Sequence, residues 1–177
     1  MIPMFGFSQL TTNNPDTVCI GTNGSIYQVP NTAGYTYNWV VSAPGVISGG
    51  QGTNQINVDW STAPAGTIMN GVTVTATDGN GCTSVPVVLD VFIYEVIPTI
   101  TTLGPFCEGT PCVNLVGTPA GGTFSGTGVV GGQFCSMNAG PGTHTITYTY
   151  IDNGCTFTTT TTVTVNPTPV LTPIQHN

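Results

Sequence analysis

Tyr35-Thr36-Tyr37-Asn38-Trp39-Val40-Val41-Ser42 sets Tyr35, Tyr37, Trp39 and Val41 on one side and Thr36, Asn38, Val40 and Ser42 on the other. That two-residue period is the mark of a strand with one buried face. A helix would need its apolar residues three and four apart. Trp39 is the largest side chain of the inward row and marks the centre of a core. Working outward, Ile56, Val58 and Trp60 alternate with Gln55, Asn57 and Asp59, a second half-buried strand. Val72, Val74 and Ala76 alternate with Thr73, Thr75 and Thr77 after Asn70-Gly71, which is read as a turn because both residues tolerate positive φ. Val87, Leu89, Val91 and Ile93 follow Pro86 as a last strand, and Asn23-Gly24 and Asn80-Gly81 mark further strand ends.

The pattern recurs later in the chain. His144, Ile146, Tyr148 and Tyr150 share one face of a strand opposite Thr143, Thr145, Thr147 and Thr149. After Asn153-Gly154, Phe157, Thr159, Thr161, Val163 and Val165 face inward and Thr158, Thr160, Thr162 and Thr164 outward, and the two strands are expected to pair. Short identities tie the two halves together. Cys19-Ile20-Gly21-Thr22 returns as Cys107-Glu108-Gly109-Thr110, an offset of 107 − 19 = 88. Asn80-Gly81-Cys82-Thr83 returns as Asn153-Gly154-Cys155-Thr156, an offset of 155 − 82 = 73. Two tandem copies of one module give this pattern, the second shorter inside. About seven short strands per copy fit an immunoglobulin-like sandwich better than a barrel. The fold class is therefore all-β, two tandem immunoglobulin-like β-sandwiches. Residues 14–97 and 98–166 are the two modules, 1–13 an N-terminal extension and 167–177 a tail.

Composition narrows the function. The 177 residues include no Lys or Arg and seven Asp or Glu, a formal charge of −7. No basic side chain is present to neutralise phosphate, so nucleic acid and a polybasic membrane contact are excluded as partners. Hydrophobic residues at 39% are enough for an ordered core. No run reaches the roughly 18 apolar residues of a membrane span, so membrane insertion is not expected. Residues 1–10 are apolar but lack the basic flank of a signal peptide, and the start is read as a processed boundary.

Six cysteines, arranged copy by copy, argue for disulfides and an oxidising compartment. Zinc is the weaker explanation, because no Cys-x-x-Cys occurs and His144 and His176 lack ligand-like spacing. Many connectivities are open to six cysteines. The repeat makes Cys19 with Cys82 and Cys107 with Cys155 equivalent pairs, which leaves Cys112 with Cys135 inside the second module.

Catalysis needs convergent groups, and few are available. The carboxylates are Asp16, Asp59, Asp78, Asp90, Glu95, Glu108 and Asp152; Asp78 and Asp152 lie in turn sequences where Asp is ordinary. His144 is the sole internal base, and its alternation with Ile146 and Tyr148 marks a packed strand histidine. No catalytic residue, cofactor or metal ligand is assigned, and Asp90 and Glu95 read as solvated acids near the junction rather than a calcium site. Glycines 121, 122, 131 and 132 lack the Lys and following helix of a phosphate loop. The outward threonine rows could order water, although threonine is simply favourable on an exposed strand face. Asn23-Gly24-Ser25 matches an N-glycosylation sequon. Trp60, Tyr35 and Tyr94 are candidate stacking platforms for a glycan.

Cys19-x-Gly21 leading to Tyr27, then Tyr37-x-Trp39, the run Gly49-Gly50-Gln51-Gly52-Thr53, Val58-x-Trp60 and Gly81-Cys82 resemble the PKD-like modules of large secreted proteins of Bacteroidota. Pro119-Ala120-Gly121-Gly122-Thr123-Phe124-Ser125-Gly126, Ala139-Gly140-Pro141-Gly142-Thr143 and Tyr148-Thr149-Tyr150 are similar to the immunoglobulin-like repeats that accompany them. The resemblance implies gliding-motility adhesins and other long surface proteins exported by the type IX system. It further implies a passive role as spacer, filament or adhesive stalk, and not an enzyme. Asp16-Thr17-Val18 resembles the short O-glycosylation motif of that phylum, which makes Thr17 a candidate. Cys135 departs from those repeats, which more usually carry Asn there.

The expected protein is a non-catalytic extracellular or cell-surface structural or adhesive repeat, self-associating into a filament. The alternative is a carbohydrate-binding accessory module. Without lysine, strand edges lose their commonest protection against pairing, and residues 1–10 and 167–177 are expected to reach neighbouring subunits as added strands.

Overall fold

The inward rows of the sequence become the walls of two sandwiches in the computed structural model, which describes residues 16–173 and 176. The chain divides into two units, Met1–Glu95 and Val96–Asn177. The first unit holds strands β1 (Asp16–Cys19), β2 (Asn23–Gln28), β3 (Thr36–Val41), β4 (Val46–Gly49), β5 (Gln55–Asp59), β6 (Gly66–Thr77) and β7 (Val87–Tyr94). They form a four-stranded sheet in the order β1-β7-β6-β3 and a three-stranded sheet in the order β2-β5-β4. Tyr37 and Trp39 of β3, Ile56 and Val58 of β5, Val72 and Val74 of β6 and Val91 and Ile93 of β7 point between the sheets and are buried together with Trp60. Burying an aliphatic or aromatic side chain of this kind contributes roughly 1.5–3 kcal/mol.

Two features of this unit differ from the sequence reading. Asn70-Gly71 is not a turn between strands but a bulge within β6. That strand pairs with β7 on both sides of it, Ile68 opposite Val91 and Val72 opposite Leu89. Three residues of β6 between these pairs thus lie opposite one of β7. Asn70 takes a φ of 50°, its N–H donates to the Asp90 carboxylate at 2.7 Å, and the positive φ that could close a hairpin here absorbs the extra residues instead. The second difference is direction: β1 runs parallel to β7, from Asp16 opposite Val91 to Cys19 opposite Tyr94.

The second unit is built from shorter pieces: β8 (Thr99–Ile100), β9 (Phe106–Cys107), β10 (Val113–Asn114), β11 (Gly117–Thr118), β12 (Thr123–Gly126), β13 (Val129–Val130), β14 (Gln133–Phe134), a single helical turn α1 (Ser136–Ala139), β15 (Gly142–Asp152) and β16 (Cys155–Asn166). Its main sheet runs β12-β15-β16-β9, against β10-β14-β13, with β11-β8 as a separate pair. The long hairpin β15–β16 closes through Asn153 and Gly154, both at positive φ, between the paired residues Asp152 and Cys155. Two positive φ values in a two-residue loop match the twist of the flanking strands. Leu115, Phe134, Ile146, Val163 and Val165 make the core. Tyr148 is buried beside it, and a Cβ on either Gly117 or Gly122 would lie 2.5 Å from its ring.

The sequence repeat has a structural counterpart. In one unit the N–H of Ile20 donates to the Tyr94 carbonyl at 2.9 Å and that of Thr22 to the Cys19 carbonyl at 3.2 Å; in the other, Glu108 donates to Asn166 at 2.8 Å and Thr110 to Cys107 at 3.1 Å. The protein is an all-β chain of two immunoglobulin-like sandwiches. The strand donation expected of residues 1–10 lies outside the described residues, as do positions 174, 175 and 177 of the tail.

Candidate functional site

The cysteines carry the reactive chemistry of this chain, and the parallel first strand decides where they stand. Cys112 and Cys135 form a disulfide with Cα atoms 4.2 Å apart. Cys82 and Cys107 are exposed free thiols, whereas Cys19 and Cys155 are disulfide-bonded. The expected pairs Cys19 with Cys82 and Cys107 with Cys155 are therefore corrected. Cys19 ends β1 opposite Tyr94, at the finish of β7, whereas Cys82 precedes the start of β7 at Val87. Seven strand residues, about 23 Å, lie between. Cys107 ends β9 opposite Asn166, eleven residues along β16 from Cys155, about 36 Å. A disulfide needs its Cα atoms within about 7 Å.

The loop presenting Cys82 is tied down locally. The Asp78 carboxylate accepts the N–H of Asn80 at 2.9 Å and of Cys82 at 2.8 Å. The Cys82 amide, first among several donors, holds the Asp78 carboxyl below the usual carboxylate range. Asp59 is held below that range by Ser61, through its side chain first and its amide second.

The three aromatic candidates for ligand stacking have separate fates. Trp60 has no exposed surface; its indole N–H donates to the Tyr27 hydroxyl at 3.1 Å, and a Cβ on Gly45 would meet its ring at 2.3 Å. It is a core residue and cannot stack on a ligand. The alternation with Ile56 and Val58 already placed it inward, and that signal outranks its residue type. Tyr94 is half-buried, its ring 6.2 Å from that of Phe92. Tyr35 is 40% exposed, just ahead of β3, and lines a mainly apolar cavity of about 360 Å³ with Val29, Tyr37, Val74, Val85 and Val87. The sequence reading missed this cavity, because its walls come from distant segments.

Beneath the surface a polar relay crosses the first unit. Tyr27 accepts from Trp60 and donates to the Asp16 carboxylate at 2.9 Å. Burial, and after it the Asp16 charge, push the Tyr27 phenol well above its usual value. His144 lies half-buried in β15, its Nε2 2.8 Å from the Gly140 carbonyl and its ring 6.4 Å from that of Phe134. No group of three or more His, Cys, Asp or Glu able to hold a metal occurs among the described residues. Thr17 is exposed on β1.

Residues 8–91 match the model of a family described as a PKD-like domain. Most of the first unit is thus similar to a PKD-like domain, on an immunoglobulin-like fold. Among solved structures, the fibronectin(III)-like modules of Clostridium thermocellum CbhA align over 94% of this chain and 97% of theirs, at 14% identity and a TM-score of 0.34. The titin domains z1z2, solved in complex with telethonin, align over 88% of this chain and 93% of theirs, at 18% identity and a TM-score of 0.28. The titin Ig tandem A164-A165 aligns over 87% and 94%, at 11% identity and a TM-score of 0.29. No curated protein matches the sequence. PKD-like and immunoglobulin-like domains generally serve as non-catalytic structural or adhesive modules, and the Cys112–Cys135 disulfide suits an extracellular domain.

Proposed function

We propose that this chain is an extracellular structural module of a cell-surface adhesin or filament, of the kind its resemblance to Bacteroidota repeats implies, and that it associates with further copies of itself. The observation that carries the reading is the distribution of its cysteines: a cystine stabilises the second unit from within, while each unit exposes one thiol. Sandwiches without Lys or Arg that carry exposed thiols are suited to being joined to something, and have few groups with which to turn over a substrate. Thr17, exposed on β1, is the proposed site of O-glycosylation. Electron microscopy of the purified chain, with and without reductant, tests the assembly. Chains of particles are expected in at least one condition, and single particles in both would refute self-association.

A second reading has one specific observation in its favour. Tyr35 lines the apolar cavity of the first unit and is partly exposed, so that its ring could stack on a sugar. Glycan-array binding that is lost in a folded Tyr35→Ala variant would support a carbohydrate-binding accessory module; binding unchanged by that substitution, or no binding, counts against it.

A further inference from the structure

Cys82 and Cys107 are the two exposed thiols among the described residues, and each is the repeat counterpart of a cysteine that is already bonded. Cys107 ends β9 against the finish of the last strand of its unit, as Cys19 ends β1 against the finish of β7. Cys82 follows the Asn80-Gly81 turn, as Cys155 follows Asn153-Gly154. Cys19 and Cys155 are both disulfide-bonded. One member of each positional class is thus oxidised and one is left as an accessible thiol.

We propose that Cys107 of one copy forms a disulfide with Cys82 of a second copy, linking copies head to tail. This deepens the structural reading above and rests on it. Cys107 stands at the end of its unit where the last strand finishes, and Cys82 at the end of its own unit where the last strand is about to begin. Each copy thus offers one sulfur of each kind, so a single Cys107–Cys82 bond per contact leaves a free sulfur at either end for the next copy. The chemistry is thiol–disulfide exchange with a small disulfide such as oxidised glutathione. The Cys107 thiolate attacks one glutathione sulfur; a protein–glutathione S–S bond forms, the donor S–S bond breaks, and one glutathione thiolate leaves. The Cys82 thiolate of the second copy then attacks the Cys107 sulfur, and the second glutathione thiolate leaves. Two protein thiols lose two protons and two electrons, and the donor disulfide takes up both electrons.

The experiment treats the purified full chain with oxidised glutathione and reads covalent size by electrophoresis without reductant. A ladder of multimers that collapses on reduction is expected. Mass spectrometry after chymotrypsin should find the peptide of Cys107 joined to that of Cys82; trypsin cannot be used, since the chain has no Lys or Arg. Cys82→Ser and Cys107→Ser should each remain monomeric alone, and an equal mixture of the two should give a dimer and nothing larger. The proposal is overturned if the wild type yields only glutathione-capped monomer, or if either variant alone dimerises as readily as the wild type, which would mean like sulfurs pair with like. Particle chains seen in the microscope under reductant, with no covalent ladder on oxidation, would keep the structural reading and remove the disulfide link.

Discussion

Tyr27 is the residue whose surroundings carry the clearest consequence. Its hydroxyl is held between a buried indole N–H and a carboxylate, so Tyr27→Phe leaves both without their partner and should cost the first unit about 1–3 kcal/mol. Both tryptophans, Trp39 and Trp60, belong to this unit, so tryptophan fluorescence in a urea titration reports on it alone. The phenol binds its proton more tightly when folded than when unfolded. Its contribution is therefore complete below the ordinary tyrosine value of about 10 and is lost as pH rises from there towards the folded value. Urea midpoints should fall on the alkaline side of about pH 10, and Tyr27→Phe should flatten that decline; an equally steep decline in the variant would mean that other groups cause it. Trp60→Ala should cost about 3–5 kcal/mol, with Trp39 left as the reporter. That Trp60 is buried was legible in its alternation with Val58. That its indole needs an acceptor, and that Tyr27 would be that acceptor, was not, because the two lie 33 residues apart.

Strand direction was the largest gap between sequence and structure. A two-residue period tells which side chains of β1 face inward, yet it carries no information on which neighbour the strand joins or which way it runs. β1 and β9 are short, four and two residues, and their placement is decided by the sheet edge left open by β7 and β16. The hairpin β15–β16 was legible throughout, because its turn chemistry and both rows of side chains are contiguous in the chain. The Asn70-Gly71 bulge was misread for a local reason: the same positive φ serves a turn and a bulge. Two substitutions probe the shorter-stranded unit. In Gly122→Ala the new methyl would lie 2.5 Å from both the Tyr148 ring and the Thr149 carbonyl oxygen, and the loss should be about 1–3 kcal/mol. Replacing Cys112 and Cys135 together by Ser should cost about 2–4 kcal/mol through a looser unfolded chain. Hydrogen exchange at β15 and β16 measures both, and protection equal to the wild type would contradict the packing described for Tyr148 or the stabilising role of the bridge.

Taken whole, the molecule carries seven carboxylates and no Lys or Arg to offset them. Ion pairs with such side chains cannot contribute to its stability, and added salt can act only by screening repulsion among like charges. Melting temperature should rise slightly or stay level as salt is raised, where a protein held by ion pairs would lose stability; a clear fall would contradict this account. Acidification towards the sequence pI of about 4.1 removes that repulsion, so light scattering should show association increasing as pH drops through this range. The strand order has one more consequence, and it is mechanical. Tension applied to the first unit enters β1 at Asp16 and leaves β7 at Tyr94, and because these neighbours run in the same direction, it loads their hydrogen bonds in shear, all at once, instead of peeling them apart one by one. The corresponding contact in the second unit is only two residue pairs long. Under a steady pull on the two ends of the chain, the shorter clamp should release first, so that the second unit lengthens while the first is still folded.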